Sequence, residues 1–242
     1  MEKSFTQIKQ KFEKAKSKRY WGDDFDVRYY LASKLKQIEN KVILDIGGGI
    51  GIISSELNNS NSITNLDLSF EDLKICKNSY EEVSVINSSM INLPFADETF
   101  DIIICSHILE IAKEFDLKNE NVKINSINEY PTVNKVLEQM HKILKKNGIG
   151  YITTPNNAYY KSSKLSYDEL TIALQKYFEK KLLCHYNTYP KLSKKSTKLN
   201  LANSIPKIRS KFSSHSKIVN SLIKKDENSK KESVSFYAEV IK

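Results

Sequence analysis

Four glycines lie within five positions of this chain, directly after a short apolar run that contains one acid. The stretch reads VILDIGGGIG, from Val42 to Gly51. Glycine lets the backbone adopt left-handed conformations and allows another group to approach closely. A short apolar run followed by such a loop is typical of a buried strand that turns sharply at its end. The chain is therefore constrained to present a loop suited to ligand contact at the end of a strand.

Short apolar runs alternate with amphipathic segments along the chain, and this alternation predicts the fold class. Seven runs are predicted strands: KVILDI, SITNLDL, VSVIN, FDIIICS, GIGYITT, KLLCHYNTY and SVSFYAEVI. Strand–helix alternation of this kind favours right-handed crossovers. The sequence therefore predicts an α/β fold with a doubly wound, mostly parallel seven-stranded sheet and helices on both faces.

Capping signals predict where several helices begin and end. A first helix, Ile50–Asn58, is predicted directly after the glycine loop, and a second ends at Tyr80 with Ser69 and Asp72 as its N-cap pair. A third helix runs from Pro131 to about Lys146 and is closed by Asn147 and Gly148 in the left-handed conformation. A fourth begins with the capping box Ser166–Glu169.

The same patterns divide the chain into parts. Residues 1–40 have apolar residues at helical spacing and are predicted to form an N-terminal helical cap. Residues 41–190 form the predicted core, and the polar, Asn-rich stretch 113–130 is an insertion within it that is either loose or a lid. Residues 191–231 form a basic insertion or cap, and residues 232–242 supply the final strand of the core.

The positive charge is concentrated near the end of the chain. The net charge is +9, and residues 176–231 contain fifteen basic and three acidic residues. Such a contrast suggests an anionic partner, either nucleic acid or an anionic membrane. The alternative is that lysines of a Lys-rich sequence only solvate the surface.

The cysteines and the start of the chain indicate the compartment. Cys76, Cys105 and Cys184 are far apart in sequence, as are the four histidines, so we predict no metal site and no disulfide. No apolar run approaches the roughly 18 residues that a membrane-spanning helix needs. The basic start lacks the apolar region of a signal peptide, so we expect a cytoplasmic protein.

The spacing of the glycines excludes two common ligand loops. A dinucleotide fingerprint that starts at Gly47 and Gly49 needs a third glycine where Ile52 stands, and a phosphate-binding P-loop needs a Gly-Lys-Ser/Thr triplet that this chain lacks. Asp67 lies twenty residues after Gly47, at the end of the second predicted strand. A carboxylate there can accept both ribose hydroxyls of an adenosine. Taken singly, the glycines are compatible with a tight turn and the acid with a helix cap.

Four ordered motifs resemble the class I S-adenosylmethionine-dependent methyltransferases over most of residues 40–190. They are VILDIGGGIG, LDLS, INLPFADETFDIIICSHILE and VLEQMHKILKKNGIGYITTPN. The resemblance implies S-adenosylmethionine as cofactor, S-adenosylhomocysteine as product and an antiparallel last strand. The implied cofactor contacts are Asp45, Gly47, Gly48, Gly49 and Gly51 at the methionine end, Asp67 with Leu68 at the ribose, Ser89 and Met90 at the adenine, and Ser106 along the fourth strand.

The sequence departs from the family at two positions. Relatives usually carry an acid where this chain has Ser89, and a hydroxyl bonds the adenine amino group without charge assistance. Relatives often read Leu-Glu-His where this chain reads Leu109-Glu110-Ile111. The role of that histidine therefore does not transfer to this chain.

Three aromatic side chains are candidates for the chemistry. His107, at the end of the fourth predicted strand, is the best-placed general base, and its alternative is a structural histidine packed under the cofactor. Tyr20 and Trp21 are predicted either to close over the cofactor and face its cation or to anchor the N-terminal helix.

The acceptor class is predicted from one missing motif and from the overall pattern. The Asn/Asp-Pro-Pro-aromatic motif of exocyclic-amino methyltransferases is replaced here by Cys105-Ser106-His107-Ile108. The leading hypothesis is methyl transfer to a small-molecule or lipid-like acceptor, with residues 191–231 as a cap over its pocket or as a peripheral contact with an anionic membrane. Nucleic acid is the less favoured partner, as the substrate of an RNA methyltransferase. A cofactor-binding protein without turnover is the third hypothesis.

Overall fold

The predicted strands assemble into one sheet in the computed structural model, which describes residues 25–119, 130–157, 164–186, 223–224 and 235–242. The strands are β1 Val42–Ile46, β2 Ser62–Asp67, β3 Ser84–Asn87, β4 Phe100–Ser106, β5 Leu144–Pro155, β6 Glu179–Tyr186, β7 Ile223–Lys224 and β8 Ser235–Ile241. Their order in the sheet is β3-β2-β1-β4-β5-β8-β6-β7. The seven predicted strands are all present, and the two-residue β7 extends the sheet at one edge.

The sheet is parallel on one side and antiparallel on the other, with β5 as the boundary between the two parts. The pairs from β3 to β5 are parallel. The last strand, β8, is antiparallel to both β5 and β6. The prediction of a mostly parallel, doubly wound sheet with an antiparallel last strand is therefore confirmed.

Helices cover both faces of the sheet, as predicted. They are α1 Phe25–Leu35, α2 Phe70–Ser79, α3 Leu109–Lys118, α4 Pro131–Ile143 and α5 Tyr167–Gln175. Val27 of α1 and Cys76 of α2 belong to the apolar cluster on one face. Leu109 of α3, Leu137 of α4 and Leu170 of α5 belong to the cluster on the other face. Burial of these two apolar layers, rather than helix propensity, holds the elements in place.

Two predicted helix starts are confirmed by their side-chain caps. Ser69 accepts a hydrogen bond from the backbone N–H of Asp72 at 3.3 Å, ahead of α2. Ser166 and Glu169 form a reciprocal capping box ahead of α5. These side chains satisfy backbone N–H groups that have no partner inside the helix.

The predicted helix Ile50–Asn58 is wrong. The segment instead forms turns and a three-residue 3₁₀ helix, Ser54–Glu56. Gly51 has a φ of 81°, which is incompatible with α-helix at the point where the first turn would form. Ile50, Ile52, Ile53 and Leu57 are all buried, so packing of these side chains fixes the segment without an α-helix.

The predicted end of the helix from Pro131 is also wrong. The helix α4 ends at Ile143, and β5 begins at once with Leu144, which is fully buried. Asn147 has the expected positive φ of 61°. It lies in an irregularity of β5, where the pairing with β4 shifts register, and not in a helix cap.

The structure describes some of the predicted divisions of the chain more fully than others. The helix α1 belongs to the predicted cap 1–40, whereas Tyr20 and Trp21 lie outside the described residues. The predicted insertion 113–130 starts too early, because residues 113–118 are helical and complete α3. Of the basic segment 191–231 only β7 is described. Within the part of the chain that the structure describes, no helix has the length and apolar character needed to cross a membrane.

Candidate cofactor-binding site

The strand order reverses at β1, which pairs with β2 on one side and with β4 on the other. In register, Asp45 of β1 stands opposite Asn65 of β2 and Ile104 of β4. Ligands of doubly wound folds bind beyond the carboxyl ends of the strands at such a reversal. The glycine loop begins directly after β1, so the structure places it at this point.

The glycine loop is packed tightly against the protein. A Cβ atom on Gly48 would lie 2.5 Å from Oδ1 of Asn65 and 2.7 Å from Oδ2 of Asp45. A Cβ atom on Gly47 would lie 1.9 Å from Cδ1 of Ile108, the residue that follows His107. The loop therefore touches both β2 and the segment after β4, and a side chain at either position would have to displace these neighbouring side chains.

Asp45 is a buried carboxylate with an incomplete set of hydrogen bonds. Its side chain is 1% exposed, and Oδ2 accepts a hydrogen bond from the Ser54 hydroxyl at 2.8 Å. Oδ1 accepts none within the described part of the chain. Burial raises the pKa of Asp45 to about 7, against the weaker opposing effects of Ser54 and Arg28. The carboxylate is therefore suited to receive a donor or a positive charge.

Asp67 connects the glycine loop to the start of α2. Oδ2 accepts a hydrogen bond from the Gly49 N–H at 2.9 Å, and Oδ1 accepts one from the Ser69 N–H at 2.8 Å. A carboxylate has about four acceptor positions. Asp67 therefore orders the loop and retains capacity for a diol.

Leu68, Ser89 and Met90 lie around the carboxyl ends of β2 and β3. The Leu68 side chain is 75% exposed, whereas Met90 is half-buried and packs against the core. Ser89 accepts a hydrogen bond from the Ile91 N–H at 3.5 Å. The side chain of Asn87 donates to the carbonyls of Asp67 and Leu68 and so joins the two strand ends.

Ser106 and His107 lie at the carboxyl end of β4. The Ser106 and Thr153 hydroxyls are 2.8 Å apart and buried. His107 has a φ of 61°, and its N–H donates to the Thr153 carbonyl at 2.9 Å. The Nδ1 atom of His107 lies 3.1 Å from Oε1 of Glu110, and Oε2 of Glu110 accepts a hydrogen bond from Thr154 at 3.2 Å.

Five residues of this region were not identified from the sequence: Ser54, Asn65, Glu110, Thr153 and Thr154. Asn65 precedes Asp67 by two residues, and side chains two residues apart in a strand share a face. Glu110 follows His107 by three residues, which is a contact spacing once a helix begins there. The two threonines carry no such signal, because their contacts depend on the pairing of β5 with β4.

Together these residues fit a ligand with a cationic group and a vicinal diol. Asp45 and Asn65 each bury an oxygen that accepts no hydrogen bond within the described residues. Asp67 retains acceptor capacity, and the exposed apolar side chain of Leu68 stands next to it. S-adenosylmethionine carries an ammonium, a sulfonium and a ribose diol. The described residues contain no cluster of three or more His, Cys, Asp or Glu arranged to bind a metal.

Comparison with known families gives one match that spans most of the chain. Residues 38–231 match the family described as "Methyltransferase domain". A curated relative, the uncharacterized protein MJ0638 of Methanocaldococcus jannaschii, is 34% identical over 89 residues. That alignment covers 36% of this chain and 38% of the relative.

Solved structures with the same fold include two methyltransferases. The N-methyltransferase NodS from Bradyrhizobium japonicum, in complex with S-adenosylhomocysteine, has a TM-score of 0.60 at 11% identity, covering 98% of this chain and 97% of NodS. A TehB-like S-adenosylmethionine-dependent methyltransferase from Corynebacterium glutamicum has a TM-score of 0.57 at 13% identity, covering 98% and 96%. At these identities the likeness concerns the fold.

Proposed function

Because this chain belongs to the methyltransferase-domain family and its cofactor is S-adenosylmethionine, we propose that it methylates a small-molecule or lipid-like acceptor. The observation that carries the proposal is the position of His107. It follows β4, and the next residue, Ile108, packs on Gly47 of the cofactor loop. The segment that carries the proposed base is therefore in contact with the loop that is proposed to hold the methyl donor.

The proposed cofactor contacts are supported by the geometry of the loop. Asp45 and the glycines are proposed to face the methionine end, and Asp67 the ribose hydroxyls. Leu68 is proposed to lie beside the ribose and Met90 against the adenine, with Ser89 as a hydrogen-bonding partner of the adenine. Ser106 is proposed to line the cofactor side of β4, held by its contact with Thr153. Tyr20 and Trp21 remain proposed contacts with the cofactor cation.

The sulfonium supplies an activated methyl group, so the protein contributes mainly position, exclusion of water and proton removal. His107 is 7% exposed, and Glu110 beside its Nδ1 is 4% exposed. An acid that orients one imidazole nitrogen directs the other toward the substrate in many hydrolases. By the same logic, His107 removes a proton from an oxygen or carbon acceptor.

The acceptor class rests on the sequence at the end of β4. Ser106 and His107 stand where exocyclic-amino methyltransferases carry Asn/Asp-Pro-Pro-aromatic, which argues against methylation of base amino groups. Residues 191–231 are proposed to cover the acceptor pocket. Contact of this basic segment with an anionic membrane would suit a lipid-like acceptor.

The proposal is tested by transfer of a labelled methyl group. Purified protein is incubated with S-adenosylmethionine carrying a tritiated methyl group and with small-molecule, lipid-vesicle or RNA fractions. Label is expected in a small molecule or lipid and is expected to fall with His107→Asn. The matched control is His141→Asn, because His141 lies on α4 against the ring of Phe178. Label in RNA alone would overturn the proposed acceptor class. Equal rates of methyl transfer by wild type and His107→Asn would show that His107 is not the base.

A further inference from the structure

Asn65 is a fully buried polar residue in the middle of β2. It stands opposite Asp45 in the parallel pairing of β1 with β2. It also shares a strand face with Asp67, two residues further on. Asn65 therefore lies between the two carboxylates of the cofactor site, directly below the glycine loop.

The Asn65 side chain holds one side of Gly49. Its Nδ2 donates to the Gly49 carbonyl at 2.8 Å and to Sγ of Cys76 at 3.3 Å. Asp67 accepts the hydrogen bond of the Gly49 N–H at 2.9 Å. Two side chains of one strand thus hold the amide and the carbonyl of the same loop residue, which has a φ of 53°.

The Oδ1 atom of Asn65 indicates that folding stability alone does not explain why asparagine stands at this position. Oδ1 is buried and accepts no hydrogen bond within the described ranges, which is unfavourable for a polar oxygen. An apolar side chain of similar size would avoid that loss and would pack against neighbours such as Cys76. An apolar side chain could not, however, donate a hydrogen bond to the Gly49 carbonyl as the Asn65 amide does.

We propose that Asn65 is a positioning residue of the cofactor site, which holds Gly49 together with Asp67 and keeps the glycine loop in the conformation that binds S-adenosylmethionine. Asn65 acts through Gly49 and through the position of Gly48, whose Cα lies against Oδ1 of Asn65. The inference goes beyond the proposed acceptor chemistry, and it rests on the assignment of the cofactor to this loop.

Calorimetric titration with S-adenosylhomocysteine tests the proposal without knowledge of the acceptor. Asn65→Leu is compared with Asn61→Leu, because Asn61 is also buried and donates to the carbonyls of Ile38 and Asn58. Asn61 precedes β2, at the end of the strand away from the loop. We expect about tenfold weaker binding for Asn65→Leu, as for loss of one ordering hydrogen bond, and unchanged binding for Asn61→Leu.

Hydrogen exchange separates loop order from general stability. Amides of residues 47–51 are expected to exchange faster in Asn65→Leu without ligand, and not in Asn61→Leu. If Asn65→Leu does not fold, Asn65→Ser takes its place in both experiments. The serine side chain is small and polar and cannot reach the Gly49 carbonyl. Wild-type affinity and wild-type loop exchange in a folded Asn65 variant would overturn the proposal. Absence of binding by the wild type would instead overturn the cofactor assignment.

Discussion

Two buried carboxylates on opposite faces of the sheet have opposite surroundings. Glu169 accepts hydrogen bonds at both oxygens: Lys113 donates to both, Tyr130 to Oε1 and the Ser166 N–H to Oε2. Asp45 accepts one side-chain hydrogen bond, from Ser54, and its second oxygen accepts none within the described residues. Both residues are less than a tenth exposed.

The charge states of the two groups follow from these partners. Burial alone would raise the pKa of Glu169, but the hydrogen bonds and charge of Lys113 lower it below the usual value. Burial dominates at Asp45 and raises its pKa to about 7. Glu169 therefore receives its hydrogen bonds from the protein and joins α3 to α5, whereas Oδ1 of Asp45 accepts none within the described residues and is proposed to face the cofactor.

The largest expected effect is loss of the partner of Glu169. Lys113→Met strands a buried carboxylate and is expected to lower the free energy of unfolding by about 3–5 kcal/mol. The matched control is Lys135→Met, which breaks the exposed pair with Glu138 and is expected to cost at most about 1 kcal/mol. Urea unfolding of both variants measures the difference. Equal costs would show that the buried pair contributes no more than a surface pair.

The next effect concerns Asp45 and depends on pH. Because its pKa is raised from 3.8 to about 7 on folding, the folded state keeps a proton that the unfolded state loses, and stability falls as pH rises from about 4 to about 7. Asp45→Asn removes this loss and is expected to be more stable than wild type by about 2–4 kcal/mol at pH 8. Thermal unfolding at pH 5 and pH 8 measures it, and a pH-independent difference would contradict the account.

A smaller effect is expected at Tyr130. Tyr130→Phe removes one of the hydrogen bonds to Glu169 and retains the ring over Lys113, which lies 4.7 Å from the ring centre. We expect a loss of about 1 kcal/mol in the free energy of unfolding and unchanged cofactor affinity. A change in affinity for S-adenosylhomocysteine would show that this cluster and the cofactor site are coupled.

The fold was predictable because apolar runs and their alternation with helices determine a parallel sheet. The segment after the glycine loop was not, because the left-handed conformation of Gly51 overrides the helical spacing of its apolar side chains. The strand after α4 was placed too late, because Asn147 with Gly148 carries the same signal in an irregular strand as in a helix cap.

The positions of Asp45 and Asp67 were predictable because a motif fixes each of them, and the structure places both on neighbouring strands beside the glycine loop. Asn65 and Glu110 were missed because their spacing from Asp67 and His107 indicates a shared face or a contact but matches no motif that singles out either residue. Their contacts, to Gly49 and to His107, exist only once the sheet has formed. The Ser54 donor to Asp45 was missed for the same reason.

The most direct test of the central claim is calorimetric titration of wild type and Asp67→Ala with S-adenosylmethionine and S-adenosylhomocysteine. We expect one cofactor per chain and binding weakened by about 1–3 kcal/mol in the variant, because the proposed acceptor of the ribose hydroxyls is removed and the Gly49 N–H loses its acceptor. Absence of binding by wild type, or equal affinity of the two proteins, would contradict the assignment of the cofactor to the glycine loop.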